Sequence, residues 1–176
     1  AAGVWDLSVF GDISTTTVEA VDKLRAEPET FDVLLTLSVG ERPDFHGAVL
    51  EKIYEADIPW LPARLVADEV VLGPLTIPNE TACYNCYYRR HLSCDSRPGA
   101  RVLELESRDE LKSYPPYIDS ARRLLTATAE TDLLAFLGGH VEPETRDAVV
   151  RFDVRRASRD RSVLYRVPGC DVCGKQ

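Results

Sequence analysis

Residues 58–90 read IPWLPARLVADEVVLGPLTIPNETACYNCYYRR. Ile58–Val66 and Glu69–Leu72 are apolar stretches around Ala67-Asp68, which predicts two strands joined by a turn. Gly73-Pro74 and Pro78-Asn79 then make a stiff loop into Cys83-Tyr84-Asn85-Cys86, and Thr81 is placed to cap a short helix holding Cys83 to Leu92. Upstream, Phe31–Val39 (FDVLLTLSV) is a nearly continuous apolar run, the pattern of a buried parallel strand. Pro43-Asp44 opens a helix to Ala56, with Phe45, Val49 and Ile53 spaced along one face. Further upstream, Val4–Phe10 reads as a strand, and Ser14 or Thr15 caps a helix to Ala26. This alternation predicts an α/β sheet with right-handed crossovers.

Downstream, Ser96–Gly99 is a polar break, and Tyr117–Leu137 is the longest predicted helix. Its stripe is Ile118, Ala121, Leu125, Ala129, Leu133 and Phe136, and Gly138-Gly139 stops it. Asp147–Ala157 and Ser162–Val167 alternate around a polar turn and predict a hairpin, whose second strand enters Pro168-Gly169-Cys170-Asp171-Val172-Cys173-Gly174.

Two Cys-x-x-Cys pairs, Cys83/Cys86 and Cys170/Cys173, supply four thiolates, the ligand set of a closed tetrahedral zinc site. Pro168, Gly169 and Gly174 provide the tight turns that a knuckle needs. Four protein ligands leave no open position for water, so the site is structural in kind. The competing reading is two disulfides or four unrelated thiols. The spacing and the absence of a secretory segment favour zinc.

The charge balance is 21 Lys+Arg against 29 Asp+Glu, a formal net charge of −8. That disfavours nonspecific nucleic-acid binding, which depends on neutralising phosphates. No apolar run approaches a membrane span. An odd fifth cysteine, Cys94, and no signal segment suit a reducing, cytoplasmic setting. The chain contains no methionine, and the expectation is a C-terminal portion of a longer protein.

Phosphate chemistry is poorly represented. The turn Phe10-Gly11-Asp12-Ile13-Ser14 has one glycine and an acidic residue where an anion would lie, and there is no Walker-type loop. Cys94 lies three residues after His91, which suits either a thiol with a base nearby or a spare thiol beside the knuckle. His46 and His140 read as partly exposed side chains outside the metal set. Arg89 and Arg90 follow the first knuckle, and Arg146, Arg151, Arg155, Arg156, Arg159, Arg161 and Arg166 mark the hairpin. This strip suits either an acidic partner or the solvated face of an antiparallel hairpin.

The segment from Ile58 to Arg90, with its Gly73-Pro74 before the first knuckle and a second knuckle downstream, resembles the ThiF-type, ubiquitin-activating-enzyme-like fold. The form of 73–86 is most similar to the ThiF-like partner proteins of YcaO cyclodehydratases in thiazole/oxazole-modified, bacteriocin-like peptide biosynthesis. The resemblance covers Phe31–Arg90 and Val163–Gly174. It implies an incomplete Rossmann-type sheet with a structural zinc lobe and a C-terminal β-hairpin. Residues 1–75 would form the Rossmann-like part and 76–176 the zinc lobe, in one continuous domain.

Activating enzymes of this fold adenylate a carboxyl terminus. They need a glycine-rich loop, a magnesium-binding Asp, and Arg and Lys at the phosphates, none of which can be placed in this sequence. The partner proteins have often lost these, and there the YcaO protein uses the ATP. The resemblance thus implies no catalytic and no cofactor-binding residue, with metal ligands Cys83, Cys86, Cys170 and Cys173. The implied partners are a YcaO-type cyclodehydratase and a ribosomal precursor peptide, and a homodimer is compatible. The winged-helix segment that usually holds the leader peptide in that family is not found. The alternative is a ThiF-type adenylyltransferase with its nucleotide loop outside this chain.

Overall fold

A computed structural model describes residues 31–66, 68–94 and 118–174. The strand expected at Val4–Phe10, the helix at 14–26, the turn at 10–14 and the break at 96–99 lie outside these residues.

Three strands and two helices occupy the first described stretches: β1 (Leu34–Val39), α1 (Pro43–Ala56), β2 (Trp60–Val66), β3 (Glu69–Leu72) and α2 (Tyr84–Ser93). The last stretch holds α3 (Ile118–Gly138), β4 (Ala148–Asp153) and β5 (Ser158–Val163). The strands form one mixed sheet in the order β1-β2-β3-β4-β5. The β1/β2 pair is parallel, and the remaining pairs are antiparallel. Parallel pairing needs a crossover between the strands, and α1 supplies it. Pro43 starts α1, where its missing N–H costs nothing. Asp57 ends it in the left-handed region (φ 55°), its N–H bonded to the Ile53 carbonyl.

The sheet separates two apolar layers. Along β2, Trp60 packs with one layer, and Leu61, Ala63 and Leu65 with the other, as a period of two requires. The first layer joins α1 residues Val49, Leu50 and Ile53 to Tyr84, Tyr87 and all four knuckle cysteines. The second is covered by α3 through Ala121, Leu125, Ala129 and Leu133. α3 runs its expected length, and the Gly139 N–H closes it onto the Ala135 carbonyl.

Three expectations need correction. His46 is fully buried on the inner face of α1, because a ring aimed at Trp60 and Tyr84 packs as an aromatic. Thr81 does not cap α2. Its hydroxyl donates to the Leu75 carbonyl and accepts the Ile77 N–H, both at 2.8 Å, and Cys83 stands at the cap. The hairpin turn falls at 154–157, with β5 beginning at Ser158. Asp153 fixes that turn by accepting the N–H groups of Arg155 and Arg156. β5 is an exposed edge strand, so its Ser158-Arg159-Asp160-Arg161 start needs no apolar alternation.

Candidate metal centre

Two local turns, 87 positions apart in sequence, bring four thiols together. Cys83 lies at the N-terminus of α2 and Cys86 in its first turn. Cys170 and Cys173 lie in a turn closed by the Cys170 N–H on the Val167 carbonyl and the Gly174 N–H on the Cys170 carbonyl. Gly169 takes a positive φ of 69°, where a side chain would be strained. At Gly174 a Cβ would lie 2.5 Å from the Cys170 nitrogen and 2.7 Å from its oxygen. Both glycines are therefore demanded by the second turn.

The four sulfurs lie within 4.8 Å of one another, and all four residues are buried. The Sγ–Sγ distances are 3.8 Å (Cys83–Cys86), 3.7 Å (Cys83–Cys170) and 3.3 Å (Cys86–Cys173). A zinc ion about 2.3 Å from each of four sulfurs sets them about 3.8 Å apart. Disulfide sulfurs would stand about 2.05 Å apart, and all four cysteines are free thiols. The donor set and its dimensions thus fit a tetrahedral ion such as zinc. Among the described residues no other group of His, Cys, Asp or Glu offers a comparable cluster.

Electrostatics lower one thiol of this centre and raise two. The Cys83 thiol donates to Cys86 Sγ and, although burial opposes ionisation, Cys86 is held down at about 5, helped by the Val167 N–H at 3.2 Å. The same bond to Cys86, together with burial, pushes Cys83 up. Burial and the Cys86 contact raise Cys173 to about 11. A bound cation would displace the protons of the thiols that ligate it. Asn85 Nδ2 also donates to Cys170 Sγ at 3.6 Å.

Next to the centre lies a buried ion pair that composition and spacing did not flag. Arg64, on β2, is fully buried, and Glu41, just after β1, is 7% exposed. Arg64 Nη1 donates to both Glu41 oxygens at 3.2 Å, and Nη2 donates to the Gly73 carbonyl at 2.6 Å. The hydroxyls of Tyr84 and Tyr87 donate to Glu41 Oε2 and Oε1 at 3.0 Å each. The guanidinium also lies 4.5 Å from the Tyr87 ring centre and 5.3 Å from that of Tyr84. Burial disfavours the Glu41 charge, yet Arg64 and the tyrosine donors hold its carboxyl below the ordinary range. Burial, reinforced by Arg64, lowers His46 to about 3, and its Nε2 lies 3.3 Å from Ser38 Oγ. A lone Arg within WLPARLV was the available signal, since an unpaired buried guanidinium is rare.

The other candidates stand apart. Cys94 is exposed at the end of α2, and His91 stacks on Tyr87 at 5.7 Å. His140 is exposed after α3. Four arginines of the hairpin strip pair with carboxylates of this chain: Arg155 with Asp68, Arg156 with Asp153, and Arg159 and Arg161 with Glu144. Arg146 pairs with Glu80 and Glu142, and Arg166 donates to the Asn79 carbonyl.

With this geometry in hand, solved structures supply the relatives. The described fold is similar to that of E. coli MccB. The structure of that protein with MccA-N7isoASN superposes with a TM-score of 0.62 at 19% identity, covering 93% of this chain and 45% of MccB. The complex of MccB, a Microcin C7 biosynthetic enzyme, with N-formylated MccA gives 0.62 at 20% identity, covering 90% and 45%. The heterocyclase TruD gives 0.61 at 22% identity, covering 93% of this chain and 26% of TruD. At these identities the likeness is one of fold, and the chain spans less than half the length of either relative. No protein-family profile and no curated protein matches the chain. No described helix is long and apolar enough to cross a membrane.

Proposed function

We propose that this chain belongs to a ThiF-like protein of ribosomal-peptide maturation, acting as a scaffold that presents precursor peptide to a YcaO-type cyclodehydratase and activates it. The carrying observation is the joining of a four-cysteine centre to a fold shared with a peptide-bound biosynthetic enzyme and with a heterocyclase. On this reading residues 1–75 form a partial Rossmann-like part and 76–176 the zinc lobe. Zinc is held by Cys83, Cys86, Cys170 and Cys173, and its work is structural, because four thiolates fill its coordination sphere. Without it, the second turn is tied back to α2 by the Val167 N–H bond to Cys86, the Asn85 bond to Cys170 and the Arg89–Asp171 pair.

A second reading, a ThiF-type adenylyltransferase, is favoured by one observation: the MccB structure solved with ATP superposes equally well, at 0.62. The two separate in a reconstituted assay with full-length protein, its precursor peptide and a YcaO protein encoded beside it. The scaffold reading expects azoline formation, seen as loss of water by mass spectrometry, to require both proteins. It also expects no ATP–pyrophosphate exchange by this protein alone. Exchange that depends on peptide would replace the first reading with the second. Elemental analysis should find one zinc per chain, and Cys173→Ser should lose both metal and folded protein. Metal-free, disulfide-paired protein overturns the metal assignment.

A further inference from the structure

The two faces of α2 do different jobs. Cys83 and Cys86 point to the metal centre, whereas Tyr84 and Tyr87, one position on from each, hold Glu41. α2 has no side-chain cap at Cys83 and no acidic residue in its first turn. Its start is fixed instead from outside. The Ala82 N–H donates to Asp147 Oδ1 at 2.8 Å, and the two tyrosine hydroxyls reach across to the end of β1. The rings pack on one another at 5.6 Å and on the guanidinium of Arg64. Arg64 is anchored in turn by Glu41 and the Gly73 carbonyl. The second cysteine pair is held by its own turn, by the Val167 and Asn85 bonds and by the exposed Arg89–Asp171 pair.

We propose that Glu41, Arg64, Tyr84 and Tyr87 form a clamp that positions the first cysteine pair, so that retention of zinc depends on a buried carboxylate that is not among its ligands. This rests on the zinc reading above. Groups that orient metal ligands from behind set affinity through the geometry they impose. Coupling of this kind is reciprocal, so the ion also holds the tyrosines against Glu41.

The test is zinc release from full-length protein into an excess of chromophoric chelator under native conditions. Tyr84→Phe/Tyr87→Phe removes both hydroxyls and keeps both rings. Release should quicken by about ten- to a hundredfold, as when other supports of metal ligands are lost. Leu125→Ala, in the layer across the sheet, lowers stability without touching the clamp and should leave release near the wild-type rate. Glu41→Gln should act like the tyrosine pair. If it does not fold, the tyrosine variant still decides. Wild-type release from a zinc-loaded tyrosine variant overturns the clamp, and so does equal quickening by Leu125→Ala. A wild-type protein with no zinc overturns the metal reading itself, which is a separate result.

Discussion

Arg64→Met should be among the most damaging single changes outside the cysteines. It removes a fully buried guanidinium that donates three hydrogen bonds, two to Glu41 and one to the Gly73 carbonyl. Methionine fills much of the volume, so the loss is electrostatic. Glu41 is left with two tyrosine donors and no countercharge in a site that water barely reaches. Breaking a buried pair by deleting one partner costs about 3–5 kcal/mol. Glu41→Leu alone should cost a similar amount, by stranding Arg64. Replacing both partners by apolar residues removes the stranded charge, and such double replacements are often neutral or stabilising by about 1–4 kcal/mol.

The assay is urea unfolding of zinc-loaded protein for wild type, both single variants and the double variant, read as a double-mutant cycle. Acid provides an internal check. Glu41 is depressed from 4.5, so its contribution is complete above about pH 4.5 and is lost as pH falls through the folded value. The gap between wild type and Glu41→Leu should therefore close in acid. An Arg64→Met loss below about 1 kcal/mol, or single losses that simply add, would refute the reasoning.

His46 should give the protein a second acid weakness. Burial and the nearby Arg64 charge hold it at about 3 against 6.5, so below pH 6.5 the unfolded chain takes up a proton that the folded chain refuses. Stability should fall between pH 6.5 and about 3, and His46→Leu should flatten that slope; an unchanged slope removes His46 from the account. Gly174→Ala would press a methyl into the Cys170 backbone. Competition against a chelator should show zinc bound about tenfold more weakly, and unaltered affinity would mean that the second turn shifts freely.

Much of this protein was legible in short windows. The two Cys-x-x-Cys pairs, the Pro43 start of α1 and the apolar stripe of α3 are local patterns, and local geometry realises them where the sequence puts them. The pairing of Cys83–Cys86 with Cys170–Cys173 was also within reach, because a tetrahedral ion needs four thiolates and two knuckles supply four. What the tertiary structure decided lies between segments remote in sequence. Nothing near Glu41 announces Arg64, 23 positions later, or the tyrosine hydroxyls beyond it. The environment that makes an ion pair buried exists only once β1, β2 and α2 have packed. The same holds for His46: on an isolated helix a histidine reads as polar, and only Trp60 and Tyr84 closing over it make it a neutral core residue. β5 went the other way, because an edge strand takes its position from backbone bonds to β4 and needs no apolar pattern of its own. Sequence records the preferences of neighbours along the chain. Burial and charge pairing are properties of neighbours in space, and a sheet that crosses from β1 to β5 supplies those only when complete.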